Sequence, residues 1–235
     1  MWKLIGPLQI PFSLNELNEH EKHYYDGFYE KEEKEYTDLL TSIKDPIVFD
    51  VGSNIGYFSC LFKSCGAKEV HCFEPIDEPF QLSHEKLKDT FVRWPRSIIL
   101  NKLALYHKKS NDEKIWVSRM HNQGSSMCED VVEKFRRVFI NNDNELLEKY
   151  IPTDTLDNYV KSHRIDKIDL LKIDTEGTEE KILMGGEQSL KDKKIKNIIF
   201  EAYEGSNAIP FVLKFGYSIK LLDTYHPMYH AKLIT

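Results

Sequence analysis

Short apolar runs alternate with longer amphipathic stretches along most of this chain. Ile47-Val48-Phe49, Val70-His71-Cys72-Phe73 and residues 97–100, 168–174 and 195–200 read as buried strands, because runs this short and this apolar suit a sheet covered on both faces. Between them, residues 28–44 place Tyr36, Leu39, Leu40 and Ile43 on one helical face, with glutamate–lysine pairs elsewhere. Pro46 then opens the first strand, and residues 57–62, 78–90, 178–190 and 208–215 continue the helical pattern, with Ile182 and Leu183 facing inward and Gly216 closing the last. Residues 217–222 begin a terminal hairpin that 230–234 complete. Strand and helix in regular alternation predict an α/β fold around a mostly parallel sheet.

Two stretches break the alternation. Residues 1–28 predict an arm or short helix before the core, and residues 101–160 an insertion over the sheet's carboxyl edge. Within the insertion, Ile115-Trp116-Val117 reads as a strand, Gly124-Ser125-Ser126 as a turn or ligand loop, and Asn141-Asn142-Asp143-Asn144 as an exposed tip. The organisation predicted is therefore an N-terminal arm and helix over 1–45, then one domain over 46–235 with 101–160 as an insertion or lid.

The length of 235 residues suits one domain with a substantial core, and a net charge of −6 gives no global basic field for nucleic acid or anionic membrane. No apolar stretch approaches membrane-spanning length, and the opening Met1-Trp2-Lys3-Leu4-Ile5-Gly6-Pro7 is too soon broken by proline for a signal peptide. Cys60, Cys65, Cys72 and Cys128 lack C-x-x-C spacing, so reduced thiols and a cytoplasmic protein are expected.

Asp50-Val51-Gly52-Ser53-Asn54-Ile55-Gly56 joins the first strand to its helix, and Glu74-Pro75 ends the second strand. Strand, glycine turn, helix, strand and terminal acid form half of a nucleoside-binding unit, with Glu74 placed to accept from both ribose hydroxyls. A dinucleotide fingerprint needs glycine where Asn54 and Tyr57 stand, which argues against a nicotinamide oxidoreductase. The D-x-G-x-x-x-G turn suits S-adenosylmethionine (SAM), which has no pyrophosphate, and Asp50 could meet its ammonium group. The plainer reading makes Gly52 and Gly56 parts of a tight turn only.

A second strand end carries Lys172-Ile173-Asp174-Thr175-Glu176-Gly177, with Glu179 following and Thr155-Leu156-Asp157 upstream. With Asp50, Gly52, Asn54, Gly56, Tyr57, Phe58, Glu74, Pro75, Ala104 and Leu105, these residues resemble the FkbM-like family of SAM-dependent methyltransferases over roughly residues 46–220. The resemblance implies a doubly wound, seven-stranded Rossmann-like methyltransferase sheet with helices on both faces and a terminal antiparallel hairpin. It implies O-methylation of a small-molecule or carbohydrate hydroxyl. The cofactor contacts expected are Asp50, Gly52, Ser53, Asn54, Gly56, Glu74, Ala104 and Asp174.

Methyl transfer to an aliphatic hydroxyl calls for a positioned base, for which Asp174 stands first and Glu176 second. Against these roles stand an N-cap for Asp174 and first-turn helix charges for Glu176 and Glu179; Asp157 is expected to orient a loop. Asp174 and Glu201 end adjacent strands, where oxygen ligands suit a shared Mg²⁺ ion; the plainer arrangement is two carboxylates held apart by Lys172. His121, His163 and His226 read as surface residues, with His121 a reserve base. An RNA ribose 2′-O-methyltransferase is the alternative, with Arg93, Trp94 and Arg96 as its small basic-aromatic patch and Lys108-Lys109 as another, although the acidity opposes nucleic acid. A non-catalytic nucleoside-binding protein of the same fold is the other alternative.

Overall fold

The computed structural model describes residues 2–15, 17, 22, 30–118, 125–129, 131–132, 146–203, 205–223 and 227–234. Phe28, His121, Gly124, the 141–144 run and His226 lie outside the described residues.

In chain order the elements are β1 (Trp2–Ile5), β2 (Ile10–Ser13), α1 (Glu30–Thr41), β3 (Ile47–Val51), α2 (Tyr57–Ser64), β4 (Glu69–Phe73), α3 (Asp77–Lys86), α4 (Lys88–Arg93) and β5 (Ile98–Asn101). There follow β6 (Ala104–Leu105), β7 (Ser110–Ser118), β8 (Leu146–Asp154), α5 (Leu156–Ser162), β9 (Leu170–Ile173), α6 (Glu179–Gly185) and α7 (Glu187–Lys191). The chain ends with β10 (Asn197–Glu201), α8 (Ala208–Leu213), β11 (Tyr217–Asp223) and β12 (Met228–Leu233).

A 7-stranded sheet in the order β11-β12-β10-β9-β3-β4-β5 organises the molecule. From β10 to β5 all neighbours are parallel, whereas β12 runs antiparallel to both β10 and β11, so the sheet is mixed. The residues joining β11 to β12 include 224–226, which are not described. Chain order reverses at β3, which has β4 on one side and the much later β9 on the other. Such a switch point opens a crevice beyond the carboxyl ends of the two strands.

Period-2 alternation splits the sheet's side chains between two buried layers. Val48, Val70, Cys72 and Leu170 pack with Cys60, Leu61 and Phe62 of α2 on one face. Phe49, Val51, Phe73, Leu171, Ile173 and Phe200 pack with Leu156, Tyr159, Ile182 and Leu183 on the other. Every residue of α2 is buried, because the β1–β2 hairpin and α1 cover its outer side with Ile5, Ile10, Phe12, Tyr36 and Leu40. A hairpin therefore stands where the sequence predicts an arm or short helix.

Two predicted helices are each broken. The 78–90 helix divides at Leu87. The 178–190 helix divides at Gly186, where a Cβ on the neighbouring Gly185 would lie 2.2 Å from the Tyr106 carbonyl and Asp157 caps the second piece. The 101–160 stretch builds a separate sheet, β6-β8-β7, around Ile76, Ala104, Ile115 and Ile151.

Candidate active site at the switch point

The glycine turn after β3 packs directly on the end of β9. Gly52 adopts φ +78, and a Cβ there would lie 1.9 Å from the Asp174 carbonyl oxygen, so no side chain fits between the two strand ends. The backbone N–H groups of Gly52 and Ser53 both donate to the Phe73 carbonyl at 3.0 and 3.1 Å, which ties the same turn to the end of β4. Asn54 sits at φ 47, a left-handed conformation asparagine tolerates.

Glu74 closes this side. Its Oε2 accepts from the Asn54 N–H at 3.1 Å and its Oε1 from the Ile76 N–H at 2.9 Å. Burial raises its pKa to about 7, against the pull of those two donors. Each oxygen retains acceptor capacity beyond its backbone bond, which suits a vicinal diol with two hydroxyl donors.

The register Asp50↔Lys172 between β3 and β9 sets these two side chains next to each other on the α2 face, and Asp174, two residues on, shares that face. Lys172 Nζ lies 3.5 Å from Asp50 Oδ1, 3.2 Å from Asp174 Oδ2 and 5.0 Å from the Phe58 ring centroid. Asp50 is fully buried, and its Oδ2 accepts from the Ser59 hydroxyl at 2.6 Å. Desolvation raises the Asp50 pKa, against the attraction of Lys172. Burial would lower the Lys172 pKa, but the carboxylates of Asp174 and Asp50 outweigh it and hold the ammonium charged. Among the described residues, Asp50 Oδ1 and Asn54 Oδ1 are buried without a hydrogen bond. Asn54 Oδ1, a buried acceptor without a partner among the described residues, and Asp50 Oδ1, held only by the Lys172 ion pair, fit together with the Glu74 carboxylate a polar nucleoside carrying donors.

The Asp174 side chain is 37% exposed and bonds Lys172 rather than the N-terminus of α6. Capping of the turn falls instead to Glu179, whose Oε1 accepts from the Thr175 N–H and hydroxyl at 3.0 Å each and from the Gly177 N–H at 3.2 Å. Burial raises Glu179 to about 7. Glu176 takes φ 55 and accepts from the Tyr203 hydroxyl at 3.1 Å. Desolvation, then the charges of Asp174 and Glu201, pushes Glu176 well above the usual carboxylate range. Lys172 thus bridges Asp50 and Asp174, not Asp174 and Glu201, and Tyr203 is a site residue the sequence did not signal. Among the described residues no group of three or more His, Cys, Asp or Glu side chains gathers as a metal set.

The insertion reaches the same edge. Ser126 Oγ donates to the Glu176 carbonyl, and a Cβ on Gly177 would lie 2.5 Å from Val131. Ala104 is buried in β6 beside Ile76. Thr155 caps α5 through Asn158, and Asp157 accepts from the N–H groups of Gln188 and Ser189, so the T-L-D run is structural. His163 stacks on Tyr159 at 3.9 Å. Trp94 is half-buried, with Arg93 at 4.5 Å and Lys63 at 5.7 Å from its ring.

The methyltransferase FkbM domain family matches residues 50–219. The AMB antimetabolite synthetase AmbE of Pseudomonas aeruginosa is 26% identical over 215 residues, which cover 80% of this chain and 10% of that protein. This chain therefore spans about a tenth of that relative's length. The precorrin-6y C5,15-methyltransferase of Geobacter metallireducens superposes with a TM-score of 0.50 at 13% identity, covering 100% of both chains. An rRNA methylase of Streptococcus thermophilus gives 0.45 at 14% identity, covering 84% of this chain and 94% of its own. No described helix is long and apolar enough to cross a membrane.

Proposed function

The chain belongs to the FkbM family of methyltransferases, and from that premise we propose that it transfers a methyl group from SAM to a hydroxyl oxygen of a small molecule or carbohydrate. Bound SAM supplies an electrophilic methyl group. Glu74 is assigned the ribose hydroxyls, and the Gly52–Gly56 turn, with Asp50, Ser53 and Asn54, lines the remainder of the cofactor site. Ala104 borders the nucleoside side.

Asp174 is assigned the acceptor's proton. The observation that carries this reading is the position of Asp174: its backbone carbonyl packs against the Gly52 turn at the strand end, and its partly exposed carboxylate is held on one oxygen by Lys172. A base placed there aligns the acceptor oxygen and takes its proton as the new carbon–oxygen bond forms, a contribution of ~10²–10⁴-fold in rate. Glu176, raised by burial and then by its neighbours' charges and bonded to Tyr203, suits hydrogen bonding to the acceptor better than proton removal at neutral pH. All four cysteines are free, in keeping with a reducing compartment such as the cytoplasm.

Incubation with [methyl-³H]SAM and fractionated hydroxylated metabolites, followed by mass spectrometry of labelled products, tests the assignment. An O-methylated product is expected from the wild type and is formed at least ~10²-fold more slowly by Asp174→Asn, whose SAM affinity stays within a few fold. Label on nitrogen or carbon, on RNA, or undiminished turnover by Asp174→Asn would overturn it.

A further inference from the structure

We propose that Lys172 is a positioning residue: its buried ammonium fixes the Asp174 carboxylate so that one oxygen is held and the other faces the acceptor. The inference rests on the reading of Asp174 as the proton acceptor.

A lysine within Leu170-Leu171-Lys172-Ile173 is 1% exposed, a costly place for a charge unless it is paired. The ammonium contacts Asp50 on β3, Phe58 on α2 and Asp174 beyond its own strand, and the charge of Glu32 on α1 also acts on it. Packing against the first two of these contacts leaves the ammonium little freedom, and that rigidity passes to the third. Asp174 depends on it, because among the described residues Lys172 is the sole donor to its carboxylate, through Oδ2 alone. Cutting the tie frees the carboxylate to rotate toward solvent, and a misplacement of about 1 Å costs on the order of 10²-fold in rate. A competing account treats Lys172 purely as a counter-charge for buried Asp50. That role needs a cation, but it needs no bond to Asp174.

The full chain serves as the test material, with [methyl-³H]SAM and the metabolite fraction that accepts label from the wild type. Lys172→Gln is expected to lower kcat at least tenfold while KM for SAM and the affinity for S-adenosylhomocysteine stay within threefold. The double variant Lys172→Gln/Asp174→Asn is expected to match Asp174→Asn within twofold, since a residue acting only through Asp174 adds nothing once Asp174 is gone. If Lys172→Gln fails to fold because Asp50 is left uncompensated, Asp50→Asn/Lys172→Gln removes both charges and should still lose kcat tenfold more than Asp50→Asn alone. Wild-type kcat in a folded Lys172 variant, or losses that multiply in the double variant, would overturn the inference. Full activity of Asp174→Asn would instead overturn the underlying reading of Asp174, and this inference with it.

Discussion

Glu74→Gln isolates the one carboxylate assigned to the cofactor's ribose. Burial moves this group from 4.5 to about 7, a cost of about 3 kcal/mol to its ionised form. The folded state therefore holds a proton that the unfolded chain would release. Its contribution to stability is present in full below 4.5 and is lost as pH rises through about 7. Ribose hydroxyls donate hydrogen bonds and so select the ionised form. At pH 6 about one molecule in ten carries that form, which makes SAM affinity about tenfold weaker than its plateau above pH 8. Glu179 also titrates near 7, but its donors come from its own turn, so cofactor binding need not move its proton. Calorimetry with SAM from pH 5.5 to 8.5, in buffers of different ionisation enthalpy, reads both affinity and proton release. The wild type should tighten about tenfold per pH unit below 7 and release up to one proton, while Glu74→Gln should bind at least tenfold more weakly at pH 8 and lose most of the slope. A wild-type affinity that is flat with pH, or a Glu74→Gln variant with the wild-type profile, would refute the reasoning.

Gly52→Ala should destabilise the protein by more than about 2 kcal/mol, because left-handed strain of about 1–2 kcal/mol adds to a Cβ placed 1.9 Å from the Asp174 carbonyl. Gly66→Ala, at φ +93 with no atom within 4 Å, should cost the strain alone, and equal urea midpoints for the two would remove the strand-end contact as the cause. Asp157→Ala should lose about 1–2 kcal/mol in thermal unfolding by uncapping α7 without touching SAM affinity; weakened SAM binding would return Asp157 to the site. Glu179→Ala releases the donors of Thr175 and Gly177 and should lower turnover at least tenfold with SAM binding within threefold. Wild-type turnover in that variant would show that the turn holds its shape unaided.

Much of the fold was legible because buried parallel strands announce themselves as short apolar runs, and Asp50, Glu74 and Asp174 close such runs. Which strands adjoin was less accessible. Lys172 read as a spacer between Asp174 and Glu201, since β9 and β10 are neighbours; the register that sets it beside Asp50 is a long-range pairing invisible in local pattern. A lysine inside an apolar strand was the available signal. The β1–β2 hairpin escaped because its strands are four residues each and Pro11 interrupts the second. Tyr203 escaped because it follows β10 in irregular chain, where no periodicity points at a partner. The helix break at Gly186 depends on contacts with Tyr106 and Asp157, both distant in sequence.

A crystal structure with S-adenosylhomocysteine tests the central claim most directly. The account predicts both ribose hydroxyls within hydrogen-bond distance of Glu74 and the sulfur turned toward the Asp174 side of the Gly52 turn. A nucleoside bound elsewhere, or bound with Glu74 and Asp174 both out of reach, would contradict it.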